Sequence, residues 1–157
     1  MGLDMYLEKR NYVKQWEHKG DDNVEVTVLT KHGEQVSHIK PERVSYVIEE
    51  VGYWRKANHI HNWFVENVQN GKDDCNDYWV NKSDLEKLLD LCKQIIEDPS
   101  KAKELLPTRS GFFFGNTEYD EYYIGSIEHT IGILESVLSE VDDRGYLRGE
   151  IYYSSSW

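Results

Sequence analysis

The spacing of the apolar residues, which changes along the chain between two and about 3.6 positions, constrains the fold most strongly. Strict alternation indicates a half-buried strand, because successive side chains of a strand point to opposite faces. The segment "GLDMYLEK" alternates in this way, with Leu3, Met5 and Leu7 on one face. "NVEVTVLT" (23–30) repeats the pattern and is followed by a His-Gly turn and "QVSHI" (35–39). We therefore predict one strand at the start and two more strands around this turn.

Three later segments are also predicted as strands. Residues 44–51 alternate between apolar and polar side chains, and this strand is expected to stop at Gly52. A helix beginning at Pro41 is the alternative, because proline suits the first helical position. Residues 78–80 are expected to be extended, and "YLRGEIYYSSSW" (146–157) is expected to be the last strand. We expect the first and last strands to be neighbours in the sheet.

Between these strands the apolar spacing becomes helical. The first such helix is predicted to start at Trp54 and to end at "NG" (70–71). A second helix is expected to be capped by Asn81 or Ser83 and to end before Pro99, with one more short helical piece after it. A third is expected to be capped by Thr117 and to end at "DDRG" (142–145). The run "GFFFG" (111–115) is predicted to be a short buried strand.

Strands and helices follow one another without a linker or an internal repeat. This order predicts the α+β class, with a mainly antiparallel sheet covered on one face by about three helices. The length of 157 residues suits one ordinary domain and is short for two. We therefore predict a single compact domain over residues 1–157.

The net charge limits the classes of partner. The chain has 29 acidic and 18 basic residues and a formal charge of −11. This charge repels phosphate backbones and anionic membranes, so we predict no binding to nucleic-acid polymers or to membranes. The two cysteines lack a metal-binding spacing, and neither a signal peptide nor an apolar run of about 18 residues is recognisable. These features predict a cytoplasmic protein.

Three motifs resemble those of an uncharacterised family of small bacteriophage and bacterial proteins. They are "MGLDMYL", "YWRKANHIHNWFV" and "GFFFGNTEYDEYY", which lie at the start, in the middle and in the later third of the chain. The resemblance implies a phage or prophage origin, and hence a location in the cytoplasm of a bacterium or of an infected host cell. Because that family has no established activity, the resemblance transfers no catalytic residue and identifies no cofactor.

The predicted helix from Trp54 carries a polar stripe. Arg55, Asn58, His59 and Asn62 fall beside its apolar face. Arginine presents a planar fork of donors to a carboxylate or phosphate, while asparagine and histidine both donate and accept hydrogen bonds. Asparagine and histidine are also weaker helix formers than the Glu and Lys that usually cover a solvated face. An ordinary solvated face is the alternative, and we favour a stripe that lines a polar pocket.

The second wall of this pocket is predicted in residues 111–123. Its glycines permit close backbone approach, and Tyr119 and Tyr123 can stack on a flat ligand together with Trp54. The two tyrosines could equally belong to the core. From this clustering we predict a non-catalytic binding protein of phage type, whose pocket holds a small polar or nucleotide-like molecule.

No metal site is predicted. On a helix, His59 and His61 lie about 160° apart in azimuth, so they cannot share one ion. His61 is instead expected to form internal hydrogen bonds. Asp73, Asp74 and Asp77 lie in one loop, but that loop lacks the glycine and glutamate that an EF-hand requires.

Two other functions stay open. A hydrolase or nucleotide-processing enzyme would use His59 with Asp74 or Asp120, because histidine transfers protons near neutral pH and a carboxylate can orient it. This hypothesis gains if His59 and a carboxylate converge in one cleft near Arg55. An acidic protein–protein inhibitor would imitate nucleic acid and occupy the basic groove of a host protein. The common nucleotide-binding, hydrolase and zinc-protease motifs do not occur in the sequence, and we favour binding over catalysis.

Overall fold

The computed structural model describes residues 2–157, which form a four-stranded sheet with helices packed on one of its faces. The predicted α+β class is confirmed. The strands are β1 (Asp4–Tyr12), β2 (Tyr46–Arg55), β3 (Tyr78–Val80) and β4 (Glu150–Ser156). The helices are α1 (Asn58–Asn67), α2 (Lys82–Glu97), α3 (Ala102–Leu105) and α4 (Glu121–Ser139), and short 3-10 turns cover Glu17–Asp22, Pro41–Arg43 and Pro99–Lys101.

The sheet joins the two ends of the described chain. Its strand order is β2-β1-β4-β3, and every neighbouring pair is antiparallel. Leu7 pairs with Tyr153 across β1 and β4, so the predicted neighbourhood of the first and last strands is confirmed. The predicted extended segment at 78–80 is likewise confirmed as β3, which pairs with β4.

One hydrophobic core lies between the inner face of the sheet and the helices. Alternate residues of β1 and β4 are buried there, as the period of two requires. The ring of Tyr153 stacks on that of Phe64 from α1, with centroids 3.9 Å apart and an interplanar angle of 6°. The main buried contributors are Leu3, Met5, Leu7, Trp54, Phe64, Leu85, Leu88, Ile127, Leu134, Ile151 and Tyr153.

Strand β2 continues through Gly52, which corrects the expectation that this glycine stops the strand. A Cβ at this position would lie 2.8 Å from Cγ2 of Ile133 in α4 and 3.3 Å from Cβ of Leu7. The missing side chain thus allows α4 to approach the strand backbone directly. A shift in register between Leu7 and Glu8 marks a β-bulge beside this contact.

The predicted strands at 23–30 and 35–39 do not form. Only an isolated bridge joins Leu29 and Gln35, and the side chains of Val24 and Leu29 are more than half exposed. An alternating sequence is suited to a half-buried strand, but it forms one only where a core surface covers its apolar side. In this fold no core surface covers the apolar residues of 23–39. The alternative helix at Pro41 is reduced to one 3-10 turn, and β2 begins at Tyr46.

Two predicted helix starts are too early, by four residues for α1 and by three for α4. Trp54 and Arg55 belong to β2, and the chain turns at Lys56, whose φ of 56° is left-handed, before α1 begins at Asn58. Helix α4 begins after Asp120, whose side chain accepts a hydrogen bond from the Tyr123 amide, and Thr117 caps nothing.

The other helix boundaries mostly follow the sequence signals. Asn81 caps α2 as predicted, accepting a 2.8 Å bond from the Asp84 amide, and the expected short helical piece appears as α3. Helix α1 ends at Asn67, shortly before the predicted stop. The predicted buried strand at 111–115 is wrong: the segment is a turn, and Phe112 is 94% exposed. Within residues 2–157, no helix combines the length and apolar character needed to cross a membrane.

Candidate functional site

A cleft of about 440 Å³ lies where the start of α1 meets the loop before α4 and the first turns of α4. The predicted pocket lay between residues 54–62 and residues 111–123, and the cleft takes residues 55–59 from the first region and residues between 115 and 123 from the second. Both signs of charge occur in the lining. It is formed by Arg55, Lys56, Ala57, Asn58, His59, Thr108, Gly115, Asn116, Glu118, Asp120, Tyr122, Tyr123 and Ser126.

Asn58 holds the loop wall of the cleft in place. Its Nδ2 donates to the carbonyl oxygens of Phe114 and Asn116, each at 2.9 Å, and its Oδ1 accepts a 3.0 Å bond from the Arg109 amide. Only 1% of Asn58 is exposed. Because both of its amide donors are used, Asn58 builds the site and offers no donor to a ligand.

Lys56 and Gly115 bring the strand end and the loop into contact. The Lys56 amide donates to the Leu3 carbonyl at 2.7 Å, which fixes the turn between β2 and α1. Gly115 has a φ of 83°, and a Cβ there would lie 3.1 Å from Cβ of Lys56. Lys56 also has a positive φ, 56°, which is uncommon for a residue other than glycine. Backbone strain of this kind concentrates at functional sites.

His59 is a buried titratable group of the cleft. It is 4% exposed, its ring lies 4.1 Å from that of Tyr123, and burial lowers its pKa to about 3. The imidazole is therefore neutral at physiological pH. Its only hydrogen bond within residues 2–157 joins Nε2 to Ser126 Oγ at 2.7 Å.

The Ser126 hydroxyl indicates which nitrogen of His59 carries the proton. Ser126 Oγ also lies 2.7 Å from the Tyr123 carbonyl, an oxygen that can only accept. Both contacts are satisfied together when Ser126 donates to Tyr123 and His59 Nε2–H donates to Ser126. In that tautomer Nδ1 of His59 is an acceptor, and it has no hydrogen-bond partner among residues 2–157.

Tyr119 and Tyr123 do not have the expected role of stacking platforms, because Tyr123 is a buried part of the cleft lining and Tyr119 lies outside that lining. Tyr123 is 3% exposed and donates its hydroxyl to the Leu106 carbonyl at 2.7 Å. Burial raises the pKa of Tyr123 above its ordinary value. The hydroxyl of Tyr119 accepts a 3.0 Å bond from the Thr108 amide, and the two tyrosine rings lie 5.0 Å apart.

Trp54 and Asn62 lie outside the cleft lining. Trp54 is 2% exposed on the inner face of β2, and its Nε1 donates to Thr130 Oγ1 at 2.9 Å, so the expectation that it stacks on a ligand is wrong. The reason is that residue 54 belongs to a strand and not to the helix. Asn62 accepts a 3.4 Å bond from Nη1 of Arg109. Among the predicted site residues, Arg55, Asn58, His59 and Tyr123 do meet at the cleft.

Lys56, Thr108 and Ser126 are lining residues that were not predicted, and Tyr122 lies in the predicted wall, residues 111–123, but was not among its chosen stacking residues. Tyr122 is 78% exposed, so its ring is open to a ligand. The sequence did contain a signal for Tyr122. Tyr119 and Tyr123 are four residues apart and continue the apolar stripe of α4, so Tyr122 lies beside that stripe and not on it. Neither Lys56 nor Ser126 belongs to the predicted polar stripe or to the predicted second wall, and both are recognised only from the fold.

His61 forms a separate, buried network, as the sequence analysis expected. The ring is 0% exposed, with Nδ1 2.7 Å from the Tyr153 hydroxyl and Nε2 3.0 Å from Asp73 Oδ1. Trp157 Nε1 donates to the same carboxylate oxygen at 3.0 Å. Burial is the main influence on His61 and lowers its pKa. Within residues 2–157, no group of three or more His, Cys, Asp or Glu side chains is placed to hold a metal ion.

Comparison with known proteins adds no relative. No protein-family model, curated protein or solved structure matches this chain.

Proposed function

We propose that this is a small-molecule-binding protein whose cleft holds a polar, nucleotide-like ligand. One observation carries the proposal: the cleft places an exposed aromatic ring, Tyr122, and two cationic side chains, Arg55 and Lys56, around the buried imidazole of His59. Ligand sites combine such apolar or aromatic surface with a few convergent polar groups. A buried histidine with an unused acceptor is one such group.

The lining suggests which parts of a ligand each side would hold. Tyr122 offers a face on which a flat ring can stack, and His59 Nδ1 accepts a hydrogen bond from a polar edge. Arg55 and Lys56 suit a phosphate or carboxylate. Glu118 and Asp120 also line the cleft and oppose a highly charged anion. A ligand with one anionic group and hydrogen-bond donors on its ring therefore fits best.

The wall of the cleft is formed before any ligand arrives. Asn58 ties the loop to α1 by three hydrogen bonds, and the hydroxyls of Tyr119 and Tyr123 bond to backbone groups of residues 106–108. Such preorganisation reduces the entropy that binding costs. The volume of about 440 Å³ lies within the usual range of ligand pockets.

A phage origin, implied by the three sequence motifs, gives this binding a plausible setting. A protein that binds a small signalling molecule in an infected cell lowers the free concentration of that molecule by mass action. This setting agrees with a cytoplasmic location. It depends on the motif resemblance and not on the cleft.

We expect at least one nucleoside, nucleoside monophosphate or cyclic nucleotide to stabilise the protein in a thermal-shift panel. At a concentration about 100 times the Kd, binding adds about 2.7 kcal/mol, which raises the Tm of a domain of this size by roughly 5–10 °C. Tyr122→Ala should abolish the shift for every hit. Arg55→Ala should selectively weaken the binding of phosphorylated hits, because it removes one of the two cationic side chains and leaves the Tyr122 ring in place.

Tyr146→Ala is the matched control, since Tyr146 is 66% exposed and does not line the cleft. The proposal fails if millimolar ligands produce no shift. It fails equally if Tyr146→Ala reduces the shift as much as Tyr122→Ala does.

A hydrolase is the second candidate, and the contact between His59 and Ser126 favours it. The 2.7 Å distance between Ser126 Oγ and His59 Nε2 suits a nucleophile and its base, but it requires the other tautomer, in which Nε2 is unprotonated and Ser126 gives up its bond to the Tyr123 carbonyl. Asp120 and Arg55 line the same cleft, as the enzyme hypothesis required. Against it, the pKa of His59 near 3 makes the imidazole a weak base. In addition, Asp120 accepts a bond from the Tyr123 amide and does not orient His59.

The hydrolase candidate predicts covalent labelling of Ser126 by a fluorophosphonate probe. Intact-mass and peptide mass spectrometry would locate the adduct, which Ser126→Ala should abolish. Ser139→Ala is the control, because Ser139 is an exposed α4 serine whose hydroxyl bonds only to the Ser136 carbonyl. An unlabelled native protein would remove this candidate and leave the binding proposal intact.

A further inference from the structure

The side of the sheet that faces away from the helices, here called the outer face, is unusually aromatic. Inward residues of β1 such as Leu7 are fully buried, while the alternate residues reach this uncovered side. Exposed sheet faces are normally polar. On this face Tyr12, Tyr46, Ile48, Tyr53 and Trp79 are between 39% and 57% exposed, and Tyr6 and Tyr152 are half-buried.

Carboxylates lie among these rings. Glu8 and Glu50 are direct cross-strand partners in β1 and β2, an arrangement in which like charges destabilise a sheet. Within residues 2–157, neither Glu50 nor Glu150 forms an ion pair. Aromatic pairs flank the Glu8–Glu50 row along the strands, with Tyr6 and Tyr53 on one side and Tyr12 and Tyr46 on the other. Arg10 relieves part of this repulsion on the Glu8 side, and a cation placed beside Glu50 would relieve the rest.

The outer face already binds one guanidinium, its own Arg10. The Cζ of Arg10 lies 3.9 Å from the ring centroid of Tyr152, and Nη2 lies 2.7 Å from Asp77 and 3.5 Å from Glu8. This combination of a ring face and two carboxylates holds an arginine by cation–π contact and ion pairing. Rings and carboxylates recur further along the face, where Lys19 Nζ lies 5.7 Å from the Tyr12 ring centroid and where neither Glu50 nor Glu150 has an ion-pair partner among residues 2–157.

A depression of about 410 Å³ provides a place for a second cation. Its lining contains the tyrosine pair Tyr12 and Tyr46, the carboxylate of Glu150, and Arg10 with Gly149. The tyrosine rings lie 5.1 Å apart at one side. An arginine or lysine side chain entering here would meet aromatic rings and the unpaired Glu150.

We propose that the outer face is a docking surface for a basic, arginine-rich segment of a partner protein. The charge of −11 steers such a segment towards the chain, and the rings and unpaired carboxylates of the outer face hold its side chains. A second copy of this chain is disfavoured as the occupant, because it would bring like carboxylates together. The proposal is independent of the cleft and gives the acidic-inhibitor hypothesis a defined surface.

Fluorescence anisotropy with a fluorescein-labelled nona-arginine peptide tests the proposal. At about 50 mM salt, where charge interactions are weakly screened, the native chain should bind the peptide saturably. The double variant E50Q/E150Q should weaken binding about tenfold, since it removes the two unpaired carboxylates. The control E86Q/E97Q removes the same charge from exposed positions of α2, and its binding should change less than about twofold.

The aromatic contribution is tested separately. Trp79→Ala should weaken nona-arginine binding several-fold, and nona-lysine should bind native protein less tightly than nona-arginine, because arginine stacks better on rings. Circular dichroism establishes that each variant is folded.

Equal weakening by the two double variants would overturn the proposal, because it would reveal general charge attraction. Concentration-dependent dimerisation in sedimentation velocity that E50Q/E150Q alters would also overturn it, in favour of a second copy as the occupant.

Discussion

Acidification from pH 6.5 to pH 3 should lower the free energy of unfolding by roughly 4–5 kcal/mol through His59 alone. Burial lowers the pKa of His59 from 6.5 to about 3 in the folded state. As the pH falls through this window, the unfolded chain binds a proton at His59 and the folded chain does not. The stabilisation is therefore fully present above pH 6.5 and is lost towards pH 3. His61, whose pKa burial also lowers, acts in the same direction.

Urea unfolding at a series of pH values measures this effect. His59→Gln is the informative variant, because its amide can still donate to Ser126 but does not titrate. Its free energy of unfolding should depend less steeply on pH between 6.5 and 3 than that of the native chain. His18→Gln is the control, since it removes an imidazole from an exposed position. Parallel pH profiles for native protein and His59→Gln would contradict the buried, neutral state of His59.

Asn58→Ala should destabilise the protein by about 3 kcal/mol. The substitution removes three hydrogen bonds and leaves the Arg109 amide and the carbonyls of Phe114 and Asn116 without their partner, at about 1 kcal/mol each. Chemical unfolding gives the loss of stability. Hydrogen exchange at the Arg109 amide should accelerate as well, which locates the damage at the loop wall.

Asn62→Ala is the matched comparison in the same helix. It loses one long bond, 3.4 Å, to the Arg109 side chain and should cost less than about 1 kcal/mol. Equal effects of the two alanine variants would show that Asn58 is not the special anchor of the loop. Because the wall helps to shape the cleft, Asn58→Ala should also weaken the binding of any ligand found in the thermal-shift panel.

The strands that pack on the core were the most predictable elements. In "GLDMYLEK" and "EIYYSSSW" the alternating residues meet helices on one side, so the local pattern and the packing agree. Residues 23–39 carry a comparable pattern, but no core surface receives them. Sequence periodicity reveals which residues are suited to burial, and it does not reveal whether a partner surface exists.

The location of the cleft was predictable, and the roles of its residues were less so. The sequence grouped residues 54–62 with 111–123 because amides, aromatics and glycines cluster there. Helix α1 starts four residues later than its periodicity suggested, which places Trp54 on the inner face of a strand. Asn58 and Tyr123 support the wall through side-chain hydrogen bonds to partners 17 or more residues away in sequence. Such partners become visible only once the chain is folded.

The pairing of the two central strands, β1 and β4, affects the rate of folding. Strand β1 pairs with β4, whose residues follow about 140 positions later, and β3 is held in the sheet through β4. Contacts of such large sequence separation demand costly loop closure and slow the folding reaction. During synthesis, β1 must wait for residues 150–156 to leave the ribosome before its central ladder can close. Until then its apolar face depends on the helices or on chaperones for protection from aggregation.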